Sequence, residues 1–253
     1  MSVQNVDISD EDCVYSSVRG AIKKVLVARA DFEKATYILA DFVKEFFIDL
    51  AQVFVTVKDL YGAEDTRLNF ANALTDKEVE SVLVAGHGDY TIVTGQNYDI
   101  LWQLGMDLRS EVEGRDIVTI SCRCGRDLGK YIIQKGAKTY KGYKESFVLL
   151  YGGTEPPSKD AYAELFIKPA LLRAKYLYDN RITPEECEDE ANKLSKTEIE
   201  QWKKINPQVA DIINYDMNIQ VFYKQGQENK SLWEKILDFF KGIWNWIKSW
   251  LWK

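Results

Sequence analysis

The sequence predicts an α/β fold in which a mostly parallel β-sheet lies between two layers of helices, a three-layer αβα arrangement. A helical C-terminal extension and an amphipathic C-terminal helix are expected to follow. Short continuous runs of apolar and β-branched residues, typical of strands buried on both faces, alternate with longer segments whose apolar residues recur at intervals of three and four. Such alternation is typical of parallel strands joined by crossover helices.

Five strands are predicted, and helices connect most of them. The strands are expected at residues 24–30, 52–57, 81–85, 116–121 and 137–143. The helices are expected at 31–47, at 68–74 with a continuation towards 80, and at 127–134. Asp31 is an N-cap candidate for the first helix. Between the third and fourth strands we expect a short extra strand at 91–93 and a short helix at 97–104.

The chain divides into three predicted parts. An α/β domain is expected over residues 1–152, and a Gly- and Pro-rich loop follows it. Residues 153–224 are predicted to form a helical extension packed on that domain, with helices near 160–180 and 184–204. A polar linker and a Trp-rich amphipathic helix are predicted over 225–253.

Composition narrows the functional classes. The formal net charge is −6 and the lysines are scattered, so nucleic-acid binding is not expected. Four irregularly spaced cysteines do not resemble a disulfide framework and fit a reducing compartment better. The first residues are polar and acidic rather than typical of a secretory signal, and no long uncharged apolar run predicts a membrane-spanning helix. We therefore expect a cytoplasmic protein, with peripheral membrane contact through the C-terminal segment.

Cys122 and His87 are the candidate catalytic residues. Both follow predicted parallel strands at the carboxyl edge of the sheet, where ligands bind in open α/β sheets. His87 is the only histidine in the chain, so it must be the base for any cysteine-histidine chemistry. We expect the following helix N-terminus to lower the thiol pKa. The N–H groups of Gly88 and Cys122 are candidates for an oxyanion hole.

The strand ends that carry His87 and Cys122 belong to the segments VLVAGHGDYTIVTG and IVTISCRCGRDLGKYIIQKGAKTYKGY. Together these segments resemble the paired signature of the caspase-like (clan CD) cysteine peptidases, which include caspases, metacaspases, gingipains and clostripain. In that signature one apolar strand ends in His-Gly and another ends in a small residue and the catalytic cysteine. The resemblance covers roughly residues 24–151 and is nearest to the gingipain and clostripain branch. It implies a caspase-like sheet and a cysteine endopeptidase with nucleophile Cys122, base His87 and oxyanion donor Gly88, which acts on protein or peptide substrates without a cofactor.

The family sets its specificity partly with a residue just after the first strand. This chain offers both Arg29 and Asp31 there. An arginine would suit an acidic substrate side chain, and an aspartate would suit a basic one. We favour Asp31 and cleavage after a basic residue, while an N-cap role for Asp31 stays open.

The same residues also allow other interpretations. Cys122 can be a small buried residue in an inactive protein that keeps the fold and acts as a scaffold. Cys122, Cys124 and His87, with Cys13 or Cys187, could form a zinc set, although no C-x-x-C spacing supports it. Asp89 could orient the imidazole or could simply be a surface residue.

The segment 231–253 has an apolar and a polar half when it is projected as a helix, and its Trp and Lys content is typical of an interfacial membrane helix. The alternative is a helix that docks on its own domain or on a partner. The residues expected to contact a membrane or a partner are Trp233, Phe240, Trp244, Ile247 and Trp250.

Overall fold

The computed structural model of the protein describes residues 24–226. The predicted amphipathic helix at 231–253, with its contact residues Trp233, Phe240, Trp244, Ile247 and Trp250, lies outside the described residues. Within the described range, no helix is both long and apolar enough to cross a membrane.

Nine strands form two sheets. In chain order they are β1 (Lys24–Arg29), β2 (Thr56–Tyr61), β3 (Val79–Ala85), β4 (Gly88–Asp89), β5 (Ile92–Thr94), β6 (Ile100–Gln103), β7 (Asp116–Ile120), β8 (Thr139–Tyr143) and β9 (Gln220–Lys224). The central sheet has the order β2-β1-β3-β7-β8-β9, and β4, β5 and β6 form a small antiparallel sheet. The first five strands of the central sheet are parallel, and β9 is antiparallel to β8. The predicted mostly parallel sheet is confirmed.

Helices cover both faces of the central sheet. They are α1 (Lys34–Val43), α2 (Asp49–Ala51), α3 (Arg67–Leu74), α4 (Arg109–Val112), α5 (Leu128–Gln134), α6 (Ala161–Ala174), α7 (Pro184–Ile205) and α8 (Pro207–Asn218). A π-helical turn at Lys44–Ile48 joins α1 to α2. Short 3-10 turns lie at Gly62–Glu64, Gln96–Tyr98, Pro157–Lys159 and Lys175–Leu177.

Alternate residues of each central strand enter different cores, as the period of two requires. In β1, Val25 and Val27 pack with α1 and α6, whereas Leu26 and Ala28 pack with α3 and α5 on the other face. A third cluster joins α6, α7 and α8. The arrangement is therefore three layers, with the sheet buried between two sets of helices.

Two predicted boundaries near the first helix are wrong. The N-cap of α1 is Glu33, which forms a capping box with Thr36, so Asp31 is not the cap. The predicted strand at 52–57 is largely a turn, and β2 begins only at Thr56. Because β2 is an edge strand with one buried residue, it lacks the apolar signal, while Val53 and Phe54 lie exposed before it.

Other differences concern short elements. The second helix ends at Leu74 instead of continuing towards 80, and β3 starts at Val79. Residues 97–104 form a turn and strand β6 instead of a helix. Strand β6 pairs with β5 in the small antiparallel sheet, and Leu101 and Trp102 are buried there. The predicted extension at 153–224 is helical except for β9, which completes the central sheet.

We expect Gly129→Ala to destabilise the protein. This is the opposite of the usual effect, since alanine in a helix interior is normally about 1 kcal/mol more favourable than glycine. A Cβ atom at this position of α5 would overlap the ring of Tyr140, which is fully buried. Overpacking of this kind costs about 1–3 kcal/mol. Urea unfolding measures the change, with Lys130→Ala, an exposed position of the same helix, as the control. A stabilised Gly129→Ala protein would contradict this account of α5 packing.

Candidate active site

The pairing of β3 with β7 brings the two candidate catalytic residues to one edge. These strands are parallel neighbours, with Ala85 opposite Ile120. His87 and Cys122 each follow two residues later, so they occupy equivalent positions beyond the carboxyl ends of adjacent strands. Neighbouring strands lie about 4.8 Å apart. In the central sheet β2 lies on one side of β1 and β3 lies on the other, so the strand order reverses between β1 and β3. This reversal is a topological switch point, and it adjoins the strand that precedes His87.

Gly88 connects the loop after β3 to the loop after β7. A Cβ atom on Gly88 would overlap Cys124 Sγ and would lie 2.8 Å from the carbonyl oxygen of Cys122. Only a glycine allows this approach of the two backbones. The Thr94 N–H donates to the His87 carbonyl (3.0 Å), and Gly88 pairs with Val93. The alternation of an antiparallel ladder therefore directs the Gly88 N–H away from β5.

The loop after Cys122 is a tight turn. The Cys124 N–H donates to the Cys122 carbonyl (2.7 Å) across Arg123, whose φ is 61°. This left-handed conformation is strained for a long side chain. The Arg123 N–H donates to the Glu145 carbonyl (3.1 Å), and the buried Cys124 Sγ lies 3.2 Å from the Ile92 carbonyl. Cys124 is thus a packing residue that joins this turn to the β4–β5 hairpin.

The Cys122 thiol is partly buried and lies 3.8 Å from the Phe147 carbonyl oxygen. Burial raises its pKa, while the Phe147 hydrogen bond and the charge of Arg123 act in the opposite direction. The expected lowering of the thiol pKa by a helix N-terminus is therefore wrong. Helix α5 begins only at Leu128, so the turn separates its N-terminus from the sulfur.

His87 lies among residues that the sequence did not single out. Its Nε2 atom is buried and lies 3.1 Å from Glu33 Oε2, although the two atoms are not aligned as a hydrogen bond. The imidazole stacks on Tyr98, with ring centroids 5.2 Å apart, and meets the edge of Phe32 at 5.6 Å. Glu33 was missed because it lies beyond the end of β1. The usable signal was an acidic residue at the same carboxyl edge as His87.

Asp89 does not face the imidazole. It lies 3.6 Å from the Arg123 guanidinium and accepts the N–H of Tyr90. Arg123 and Arg126 both lie near the ring of Tyr90, so Asp89 belongs to this surface cluster beside the Cys122 turn.

The two candidate specificity residues lie in different environments. Arg29 is 7% exposed, makes two hydrogen bonds to Asp59 and donates to the Ala40 carbonyl, so it is part of the interior. Asp31 is half-buried beyond β1, where its Oδ1 accepts from Gln96 Nε2 (2.8 Å) and its N–H donates to Gln96 Oε1 (2.9 Å). Asp31 has no ion pair within the described range. It is the better placed of the two to meet a ligand.

The proposed zinc set finds no support. Within residues 24–226, no group of three or more histidine, cysteine or acidic side chains is arranged to hold a metal ion. Cys187 lies buried in α7, in the core shared with α1 and α6, and Cys13 lies outside the described residues.

Two buried carboxyl groups lie near the site. Asp216 on α8 accepts the Val148 N–H at Oδ1 (3.0 Å), while its Oδ2 has no hydrogen-bond partner in the described part of the chain. Burial raises the pKa of Asp216 to about 8. Asp65 is fully buried after β2, and burial together with Asp99 and other acids raises its pKa to about 7. Val148 follows Phe147, so Asp216 supports the segment that contacts the thiol.

Comparison with known proteins adds no family to this geometry. No protein-family model matches the chain, and a search of curated proteins gives no match.

We expect Asp216→Asn to stabilise the protein increasingly as the pH rises from 5 to 8. The folded carboxyl of Asp216 keeps its proton up to about pH 8, because its pKa is raised to about 8 from an ordinary value of 3.8. Between pH 5 and 8, folding therefore takes up a proton at Asp216. As the pH rises through this range, Asp216 lowers the free energy of unfolding by about 1.4 kcal/mol per pH unit. Asparagine removes the titration and keeps an acceptor for Val148.

Urea unfolding of both proteins at several pH values measures the difference. Asp211→Asn, an exposed position on α8, controls for the change in net charge. If the free energies of unfolding of Asp216→Asn and the parent differ by the same amount at every pH from 5 to 8, the raised pKa of Asp216 is contradicted.

Proposed function

We propose that the protein is a caspase-like cysteine endopeptidase that hydrolyses peptide bonds with Cys122 as nucleophile and His87 as base. The observation that carries the proposal is the register of β3 and β7, which places the only histidine and Cys122 at equivalent positions on adjacent strand ends. The close packing of Gly88 on the Cys122 carbonyl supports it, because that contact holds the two loops together.

The proposed reaction begins with proton transfer from the Cys122 thiol to His87. The thiolate attacks the peptide carbonyl carbon and forms a C–S bond, and the carbonyl oxygen takes up the electron pair. His87 then gives its proton to the leaving amine, and the C–N bond breaks to leave an acyl-enzyme. Water, deprotonated by His87, hydrolyses the thioester and regenerates the thiol.

Backbone N–H groups are suited to hold the oxyanion. The Gly88 N–H points away from β5, as the ladder alternation requires. Among the described residues, no backbone hydrogen bond uses the N–H of Cys122. If both N–H groups face the substrate carbonyl, they would match the arrangement that stabilises tetrahedral intermediates.

Glu33 is suited to orient the base. Its carboxylate lies 3.1 Å from His87 Nε2, which has no hydrogen-bond partner in the described part of the chain. A buried ring nitrogen needs a partner, and an acceptor at Nε2 favours the tautomer in which Nδ1 is free to take a proton. The proposed site is therefore a cysteine and a histidine supported by a carboxylate.

We expect a peptide acyloxymethyl ketone with arginine or lysine before the warhead to label the purified protein at Cys122. Cys122→Ala should abolish labelling, and His87→Ala should reduce its rate by about 100-fold or more, because general base catalysis contributes about 10²- to 10⁴-fold. Mass spectrometry of the intact protein and its peptides measures both outcomes.

Cys187→Ala is the matched control, since that thiol is buried in the core and should not affect labelling. Labelling that persists in Cys122→Ala would assign the reactive thiol elsewhere.

A basic residue before the scissile bond is the proposed preference. Asp31 offers a carboxylate without an ion pair among the described residues, held by Gln96 beside Tyr61. Arg29 is paired with Asp59, so within residues 24–226 it does not form an ion pair with Asp31. A guanidinium or ammonium group would restore the balance.

Asp31→Asn should lower kcat/KM for arginyl peptides by about 10- to 100-fold, which corresponds to the loss of one hydrogen bond to a charged group. Alanyl peptides should be affected much less. Glu64→Gln removes an exposed charge after β2 and serves as the control. Equal losses for arginyl and alanyl peptides would show that Asp31 supports the loop rather than the substrate.

A second candidate is a catalytically inactive scaffold, and one observation favours it. The Cys122 thiol has a raised pKa and points to the Phe147 carbonyl. An inactive thiol would alkylate with iodoacetamide at a rate that Glu33 and His87 do not influence. In either case the segment 231–253 is proposed to contact a membrane surface or a partner protein.

A further inference from the structure

The hairpin turn between β5 and β6 has an unusual sequence. The Asp99 N–H donates to the Gln96 carbonyl (3.0 Å), so the central residues of the turn are Asn97 and Tyr98. Their φ angles are 51° and 63°. Left-handed conformation at both central positions defines a type I′ turn, the favoured geometry of two-residue hairpins.

Tyrosine is a poor choice for this backbone. Asparagine tolerates the first position of the turn, and glycine is strongly preferred at the second, because a side chain there is strained. Tyr98 occupies the glycine position. Burial does not account for it, since the side chain is 55% exposed.

The contacts of the Tyr98 side chain indicate why a strained residue is present. Its ring stacks on His87 with an angle of 27° between the planes, and it meets the edge of Phe32 at 4.8 Å. Its hydroxyl donates to Glu33 Oε1, and the other oxygen of that carboxylate faces His87 Nε2. One side chain therefore contacts both the face of the imidazole and the carboxylate beside it.

We propose that Tyr98 is a positioning residue for His87, held by a strained turn. This inference rests on the proposed function and deepens it. Stacking restricts rotation of the imidazole, and the hydroxyl holds Glu33 against Nε2, so the proton stays on Nε2 and Nδ1 remains the acceptor. When the imidazole becomes charged during turnover, the electron-rich face of Tyr98 stabilises the cation.

The test uses the full chain with Tyr98→Gly, Tyr98→Phe and Asn97→Gly. Tyr98→Gly relaxes the turn and removes both contacts, whereas Tyr98→Phe keeps the stack and removes the hydroxyl. Asn97→Gly is the matched control, because it relaxes the neighbouring residue without touching His87. Four quantities are measured: the thermal midpoint, kcat on an arginyl peptide, KM on the same peptide, and the imidazole ¹⁵N signals. The ¹⁵N signals report one residue, since the chain has a single histidine.

For Tyr98→Gly we expect a thermal midpoint that is unchanged or higher, a kcat lower by about 10-fold or more with KM within about 2-fold, and ¹⁵N signals averaged between the two tautomers. Tyr98→Phe should show a smaller loss, and Asn97→Gly should match the parent in kcat and signals. A residue with only a structural role would not combine retained stability with lost turnover.

Unchanged imidazole signals in Tyr98→Gly would overturn the proposal, whatever happens to kcat, and so would a loss of turnover that follows a fall in the midpoint. If the parent hydrolyses no peptide, the proposed function fails, while the ¹⁵N signals still decide whether Tyr98 fixes the imidazole.

Discussion

The in-register pairing of β3 with β7 is the constraint on which the site depends. Backbone hydrogen bonds of a parallel ladder fix which residues leave the sheet side by side, and Ala85 opposite Ile120 brings the loops of His87 and Cys122 together. A shift of one residue would turn the buried side chains of either strand to the other face. The two cores, on opposite faces of the sheet, exclude such a shift, so the packing of the fold also sets the geometry of the site.

The Cys122 thiol of the candidate site has a raised pKa in this conformation. Burial of Cys122 favours the neutral thiol, and the sulfur is directed at the Phe147 carbonyl. Val148, the next residue, is held by the buried carboxyl of Asp216. Ionisation of Asp216 would add negative charge near the sulfur and raise its pKa further.

The sequence predicted the sheet and the positions of His87 and Cys122 because buried parallel strands have a strong apolar signal. It failed where that signal is weak: β2 is an edge strand with one buried residue, and β9 lies at the opposite edge. Residues 97–104 have too few positions for periodicity to separate a strand from a helix. Glu33 and Tyr98 reach His87 from the ends of different strands, and no spacing along the chain encodes that proximity.

At Tyr98 the residue type conflicts with the backbone conformation, and no pattern in the sequence singled this position out. A sequence that folds well usually agrees with its backbone at each position, and departures concentrate where a side chain serves another purpose. Arg123 and Tyr98 both adopt left-handed conformations that a smaller residue would adopt with less strain. Arg123 directly follows Cys122, the proposed nucleophile, and Tyr98 stacks on His87, the proposed base. Strain at residues that adjoin both members of the proposed pair is the pattern expected where the geometry of reacting groups outweighs the preference of the backbone.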